Sequence, residues 1–249
     1  MNDRGPVQHR HKVPIAVFDF DGTIIDGQSS VALVLLLIRK RLMSLPEAVP
    51  VGWWGLRYKL HLPHEQYEVR SRVFEKLLPL TVDEVDRLCD ELYRKKLVPE
   101  MREQAVNIIE RYKSHGVEVL IVSASFESII SRVARGLGVH QISTKMKVKD
   151  NHYTPELAAA PVEGYEKPHQ LKEWANERYG EGGWRLVAAY GDHHTDIPLL
   201  SMAEHGYAVE PDWLLGQMAK SEGWTVLRWR KHVSESQRDL LLARDDEMR

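Results

Sequence analysis

The stretch Val17–Asp26, VFDFDGTIID, places Asp19 and Asp21 two residues apart at the end of an apolar run, with Gly22 and Thr23 directly behind them. The run VPIAVFDF is rich in β-forming residues and reads as a buried strand. Residues two apart on a strand face the same side, so the two carboxylates share a face. Like charges that close raise the pKa of one carboxyl unless a cation sits between them, so the pair implies a shared proton or a metal. Gly22 lets backbone approach a ligand closely. An Asx turn after an edge strand would give the same letters without any function.

Outward from this stretch the texture changes twice. From about Gly27 to Val98 helical patterns run almost without strand signals, among them SSVALVLLLIRKRL and TVDEVDRLCDELYRKKL. Thr81 with Glu84 three residues on reads as a capping box, and Pro99 as the close of the block. Strands and helices then alternate. PEMREQAVNIIERYKSHG is a helix ended by Gly116, VEVLIVSAS a strand, and FESIISRVARGLG a helix. STKMKVKDNHYT is a hairpin turning at Asp150-Asn151. KPHQLKEWANERYG is a helix, WRLVAAYGD a strand, TDIPLLSMAEH a helix, GYAVEP a strand, DWLLGQMAKSEG a helix and WTVLRW a last strand. Alternation of this kind predicts an α/β fold with a parallel sheet and crossover helices, and the helical block predicts an inserted unit. The expected division is a core of 14–26 and 99–230, a helical insertion of 27–98, and a surface helix or tail over 231–249.

Composition narrows the partners. The chain has 249 residues, 43% hydrophobic and 28% charged, as in a soluble globular protein. A net charge of −2 gives no case for nucleic acid. The single Cys89 excludes an internal disulfide framework and suits a reducing, cytoplasmic setting. The longest apolar run, Val31–Ile38, falls short of the roughly 20 residues a membrane span needs.

Ligands of open α/β sheets sit at the carboxyl ends of the strands, which directs attention to the strand tips. Ser123 ends the second long strand, where a hydroxyl suits an anion's oxygen. The competing reading has Ser123 or Ser125 simply capping the helix that begins near Phe126, and Ser125 is left to that role. Lys167 precedes Pro168, which is placed at the first helical position. A cation there faces the positive end of the helix dipole, a penalty an anionic partner would remove. Asp192 ends a third strand in the position Asp19 holds on the first. Asp196 follows Thr195, a plausible cap, and an acid in a first helical turn is stabilising in itself. His193 and His194 lack metal-ligand spacing and read as solvent-facing or as outer neighbours of the site. Together the tips supply carboxylates, a hydroxyl and an ammonium, a set that suits Mg²⁺ and a phosphoryl group. No G-x-x-x-x-G-K-[ST] loop is present.

DFDGT, Ser123, Lys167 in YEKPHQL, and GDHHTD resemble, in order, the four motifs of the haloacid dehalogenase superfamily of phosphatases. The helical insertion is similar to the type-1 cap of its phosphoserine-phosphatase-like branch, subfamily IB. The resemblance implies a Rossmann-like core with an all-helical cap. It implies that Asp19 is a nucleophile forming a phosphoaspartate and that Asp21 is the general acid and base. Mg²⁺ is then held by Asp19, the backbone carbonyl of Asp21, and Asp192. Asp196 orders the metal's surroundings or the lysine. Ser123 and Lys167 bind phosphate oxygens, and Gly22 and Thr23 belong to the loop that approaches them.

The expected activity is a Mg²⁺-dependent phosphatase for a small phosphorylated metabolite, with no nucleic-acid or membrane partner, acting as a monomer or homodimer. Phosphoserine phosphatases carry a glutamate for the substrate's amino group where this chain has Gln28, and a neutral amide holds an ammonium poorly. Trp53, Trp54, Arg57 and Arg70 are candidate contacts to the leaving group, against a plainer reading as cap core and solvated helix face. A phosphotransferase or a phosphoserine phosphatase is the alternative within the fold. A catalytically silent phosphate- or partner-binding scaffold is the alternative outside it, and a scaffold needs no nucleophile beside a general acid.

Overall fold

The computed structural model describes residues 12–50, 53 and 73–248. Trp54, Arg57 and Arg70 therefore lie outside the described residues.

Six strands form one sheet in the order β3-β2-β1-β6-β7-β8, with every pairing parallel. They are β1 (Val13–Phe18), β2 (Glu118–Phe126), β3 (His140–Thr144), β6 (Trp184–Gly191), β7 (His205–Val209) and β8 (Thr225–Leu227). The strand VPIAVF lies near the middle because it is apolar on both faces. Ile15 and Val17 enter one core layer, and Ala16 and Phe18 enter the other. The order reverses at β1: β2 and β3 lie to one side, β6 to the other. That reversal is where an open α/β sheet forms its crevice.

The core helices are α3 (Glu103–Ser114), α4 (Glu127–Leu137), α5 (Glu166–Tyr179), α6 (Ile197–Met202), α7 (Trp213–Glu222) and α8 (Glu235–Glu247). Leu171, Leu199 and Leu215, from α5, α6 and α7, bury the Ile15 face. Ile109 and Ile129, from α3 and α4, bury the Phe18 face. An aromatic column stiffens that second layer. Phe18 stacks on Tyr190 with ring centroids 4.2 Å apart, and Tyr190 on Tyr207 at 4.5 Å. Burying one such ring contributes about 1.5–3 kcal/mol.

Between β1 and β2 the described insertion is helical: α1 (Ser29–Arg39), helical turns at 45–50, and α2 (Val82–Leu92). The Thr81–Glu84 capping box is present at the start of α2. Pro99 does not end this block. The chain passes from α2 through a π-helical turn, Tyr93–Leu97, into a last turn at Val98–Glu100, where proline sits in the first positions and gives up no needed bond. The break comes at Met101 and Arg102, which are extended, so α3 starts at Glu103 rather than near Pro99. Asp150 and Asn151, both at positive φ, turn the two-stranded hairpin of β4 (Met146–Lys149) and β5 (His152–Leu157).

The C-terminal segment is a largely exposed helix with one docked side. α8 packs on α4, with Leu241 and Asp245 buried. Asp245 Oδ1 accepts from Arg135 Nε at 2.8 Å. Cys89 is buried in α2, and burial pushes its thiol up to about 12, which leaves it unreactive. Among the described residues no helix is long and apolar enough to cross a membrane.

Candidate active site

The strand tips converge. Asp19 follows β1, Ser123 lies in β2, Asp192 follows β6, Lys167 stands in the first turn of α5, and Asp196 closes the 3₁₀ turn His194–Asp196. All five are buried and line one cavity of about 90 Å³, together with Asp21, Gln28 and Ser125.

Lys167 holds the centre. Its Nζ donates to Asp19 Oδ1 at 2.6 Å and to Asp196 Oδ1 at 2.5 Å. Helix α5 begins at Glu166, so Lys167 is its second residue and Pro168 its third. The dipole penalty at that end is met by the two carboxylates. Burial alone would lower the lysine's pKa, but Asp19 and Asp196 outweigh it and hold the ammonium well above the usual range. Burial pushes the Asp19 carboxyl up to about 7, against the opposing pull of Lys167.

Asp196 is fixed from its other oxygen. The backbone N–H of His193 donates to Asp196 Oδ2 at 3.2 Å. Gly191 makes room for this return, since a Cβ there would meet Asp196 Cβ at 2.6 Å. The cap of this turn is His193 and not Thr195: its Nδ1 accepts from Thr195 N at 3.4 Å. His193 is accordingly buried rather than solvent-facing. Its neighbour His194 donates through its backbone to Asp212 Oδ2 at 3.0 Å, which ties the turn to the start of α7.

Asp21 turns away from the other acids. Its Oδ1 accepts from Ser29 N at 2.5 Å, and its Oδ2 accepts from Ser29 Oγ at 2.9 Å and from Ser125 Oγ. Burial raises the Asp21 carboxyl, and the bonds from Ser125 and Ser29 act against that. Ser125 is thus no helix cap. Strand β2 continues through Phe126, which itself takes the cap position of α4, and the serine faces the carboxylate.

The loop after β1 is buckled from behind. Gly22 adopts φ 78°, and its N–H donates to Gly27 O at 3.0 Å. The buried Arg102 donates to Gly22 O at 3.3 Å, to Asp26 Oδ1 at 3.1 Å and to the carbonyl of Trp229. Gly22 and Thr23 do not line the cavity: the Thr23 hydroxyl lies under the loop, 3.4 Å from Asp192 Oδ1, where it supports that carboxylate. Trp53 is exposed.

The donor set is compatible with a hard divalent cation. Asp19, Asp192 and Asp196 each offer a carboxylate oxygen, and these atoms lie within 4.8 Å of one another in a buried pocket. An all-oxygen set suits Mg²⁺ rather than Zn²⁺.

The model of the haloacid dehalogenase-like hydrolases matches residues 16–201, well over half of the chain. The chain belongs to this family. A probable phosphatase of Mycobacterium tuberculosis is 30% identical over 224 residues, which span 88% of this chain and 76% of that protein. A histidinol-phosphatase of Neisseria meningitidis serogroup C is 27% identical over 225 residues, 87% of this chain and 99% of that one. Among solved structures, a Bordetella pertussis protein of unknown function superposes with a TM-score of 0.76 at 24% identity, covering 87% of this chain and 98% of that one. A phosphoserine phosphatase, solved as a phospho-aspartyl intermediate analogue, gives a TM-score of 0.62 at 18% identity over 89% and 95% of the two chains. At those identities the structures speak to the fold, which is that of the haloacid dehalogenase-like hydrolases.

Proposed function

We propose that the protein is a Mg²⁺-dependent phosphatase that hydrolyses a small phosphomonoester through a phosphoaspartate on Asp19. The observation that carries this reading is the buried ion triad of Asp19, Lys167 and Asp196 at the mouth of β1, with Asp192 beside it. An Asp19 oxygen attacks phosphorus, and the substrate's alcohol departs with a proton from Asp21. Asp21 then takes a proton from water, the water oxygen attacks phosphorus, and the bond to Asp19 breaks to release inorganic phosphate. Lys167 and the Ser123 hydroxyl hold phosphoryl oxygens. A cation held by Asp19, Asp192 and the carbonyl of Asp21 would neutralise phosphoryl charge and the crowding of the acids. Residues 27–98 serve as the cap that excludes water.

The non-phosphate end of the substrate meets Leu33, Phe74 and Phe126 from the insertion and the core. Gln28 borders the same space, and its Nε2 is buried without a hydrogen-bond partner. That donor favours a neutral acceptor on the substrate over an ammonium, so phosphoserine ranks below other small phosphomonoesters. The kinship with a named histidinol-phosphatase places an amino alcohol phosphate in the substrate panel, where the Gln28 amide predicts weaker turnover than for esters without an ammonium. The test is turnover of p-nitrophenyl phosphate by wild type and Asp19→Asn, with Mg²⁺ and with EDTA. The reading requires metal-dependent turnover that Asp19→Asn lacks. Full activity in EDTA, or in Asp19→Asn, would overturn it.

A further inference from the structure

We propose that Ser29 and Ser125 are positioning residues for proton transfer by Asp21. The inference rests on the phosphatase reading above. The two serines lie 96 residues apart in sequence, yet their hydroxyl oxygens stand 3.0 Å from one another. Both donate to the same carboxylate oxygen, Asp21 Oδ2, while the Ser29 backbone N–H takes Oδ1. Both carboxylate oxygens are therefore held, and the side chain has no free rotation left. The sequence assigns Ser125 only a helix-cap role and Ser29 none, and neither is among the residues proposed to hold phosphate or metal.

The two donors come from different parts of the molecule. Ser125 stands near the end of β2 in the core sheet. Ser29 is the first residue of α1, and Leu33, one turn on, lines the cavity. Asp21 is thereby fastened to the core and to the insertion at once. Where α1 sits over the substrate sets where the carboxylate points. A proton-transferring group must lie within hydrogen-bond reach of the atom it serves, so losing this orientation slows proton transfer. It leaves intact the attack by Asp19, whose own anchor is Lys167.

That separation gives a signature. A p-nitrophenolate leaves without needing a proton, whereas an alkyl alcohol does not. For both esters kcat/KM reports the steps up to loss of the leaving group. We expect Ser125→Ala and Ser29→Ala each to lower kcat/KM for glycerol phosphate about tenfold, and to leave kcat/KM for p-nitrophenyl phosphate within about twofold. The steady-state kcat for the aryl ester falls in both variants, because Asp21 still has to activate water in the second step. Ser125→Thr, which keeps the hydroxyl, restores most of the alkyl activity. Ser29→Ala keeps its backbone bond to Asp21, so it serves if Ser125→Ala does not fold. Equal losses on both esters would mean that the serines only support the structure, and no loss on either would mean they do nothing for Asp21. Both outcomes overturn this inference while leaving the phosphatase reading in place. Wild-type enzyme with no metal-dependent turnover of either ester would defeat that reading, and this inference with it.

Discussion

Lys167 Nζ lies 2.5 Å from Asp196 Oδ1, and both groups are shut away from solvent. The same ammonium reaches Asp19 at 2.6 Å, so one cation offsets two buried acids. A buried pair is costly to break, since removing one partner strands the other's charge.

Lys167→Met is therefore expected to do two things. Turnover of p-nitrophenyl phosphate falls by about a hundredfold to a thousandfold, the cost of losing one donor to a reacting oxyanion. Stability drops by about 3 kcal/mol at pH 8, the usual scale for a broken buried pair. At pH 6 the loss is smaller, because Asp19 can take up a proton in place of the missing cation. Urea unfolding at the two pH values reads this difference.

Asp19 also fixes how metal and pH are linked. Its carboxyl is raised from 3.8 to about 7 in the metal-free protein. The native state holds that proton more tightly than the unfolded chain. The stabilisation it gives is complete below about pH 4 and is lost as pH rises to about 7. Mg²⁺ bound as proposed would compete for the same oxygens, so its apparent affinity is expected to rise by about tenfold per pH unit below pH 7 and then level. Thermal unfolding in EDTA and in Mg²⁺, from pH 5 to pH 9, should show the metal-induced shift growing towards pH 7 and flat beyond it.

Gln28 bears on substrate choice. It borders the same space as Leu33 and Phe126, and its Nε2 is buried and unpartnered. Gln28→Glu replaces a donor with an anion. It is expected to raise kcat/KM for amine-bearing phosphomonoesters by about tenfold, the scale of a charge-assisted bond. Carboxylate-bearing esters lose by a similar factor. A phosphomonoester panel run on both proteins measures the ratio.

The docked C-terminal helix makes a stability prediction away from the site. A Cβ at Gly136 would stand 1.9 Å from the Tyr93 hydroxyl and 2.9 Å from Leu241 O. Gly136→Ala must displace the Tyr93 ring and crowd α8 at Leu241, at a cost of about 1–3 kcal/mol for an overpacked contact. Urea midpoints report the loss, and activity per folded molecule stays at the wild-type level.

Strands β1, β2 and β6 were legible because they carry continuous apolar runs that end in chemistry-bearing residues, whereas β3, HQIST, is half polar and gave no strand signal. Asp19, Ser123, Lys167, Asp192 and Asp196 were drawn out by their places near strand tips and by the resemblance of their order to the family's four motifs, and the fold brings all five to one cavity. The support around them was illegible for physical reasons. Ser29 and Ser125 are ordinary serines until strand β2 and helix α1 bring them 3.0 Å apart. Pro99 looked like a helix end because proline usually is one, but a π-helical turn ahead of it lets the block continue. Thr23 looked like a phosphate contact, whereas its hydroxyl lies against Asp192. The surface helix or tail expected over 231–249 is a helix, and its docking was hidden because the acid it buries, Asp245, is neutralised by Arg135 and Arg94, which are remote in sequence.

The central claim is that Asp19 becomes phosphorylated. The most direct measurement mixes enzyme, Mg²⁺ and p-nitrophenyl phosphate, quenches in acid within the first turnover, and weighs the intact protein. The account predicts that wild type gains the mass of one phosphoryl group, that peptide mapping puts it on Asp19, and that Asp19→Asn gains nothing. A phosphoryl group on any other residue, or rapid metal-dependent turnover by Asp19→Asn, would contradict it.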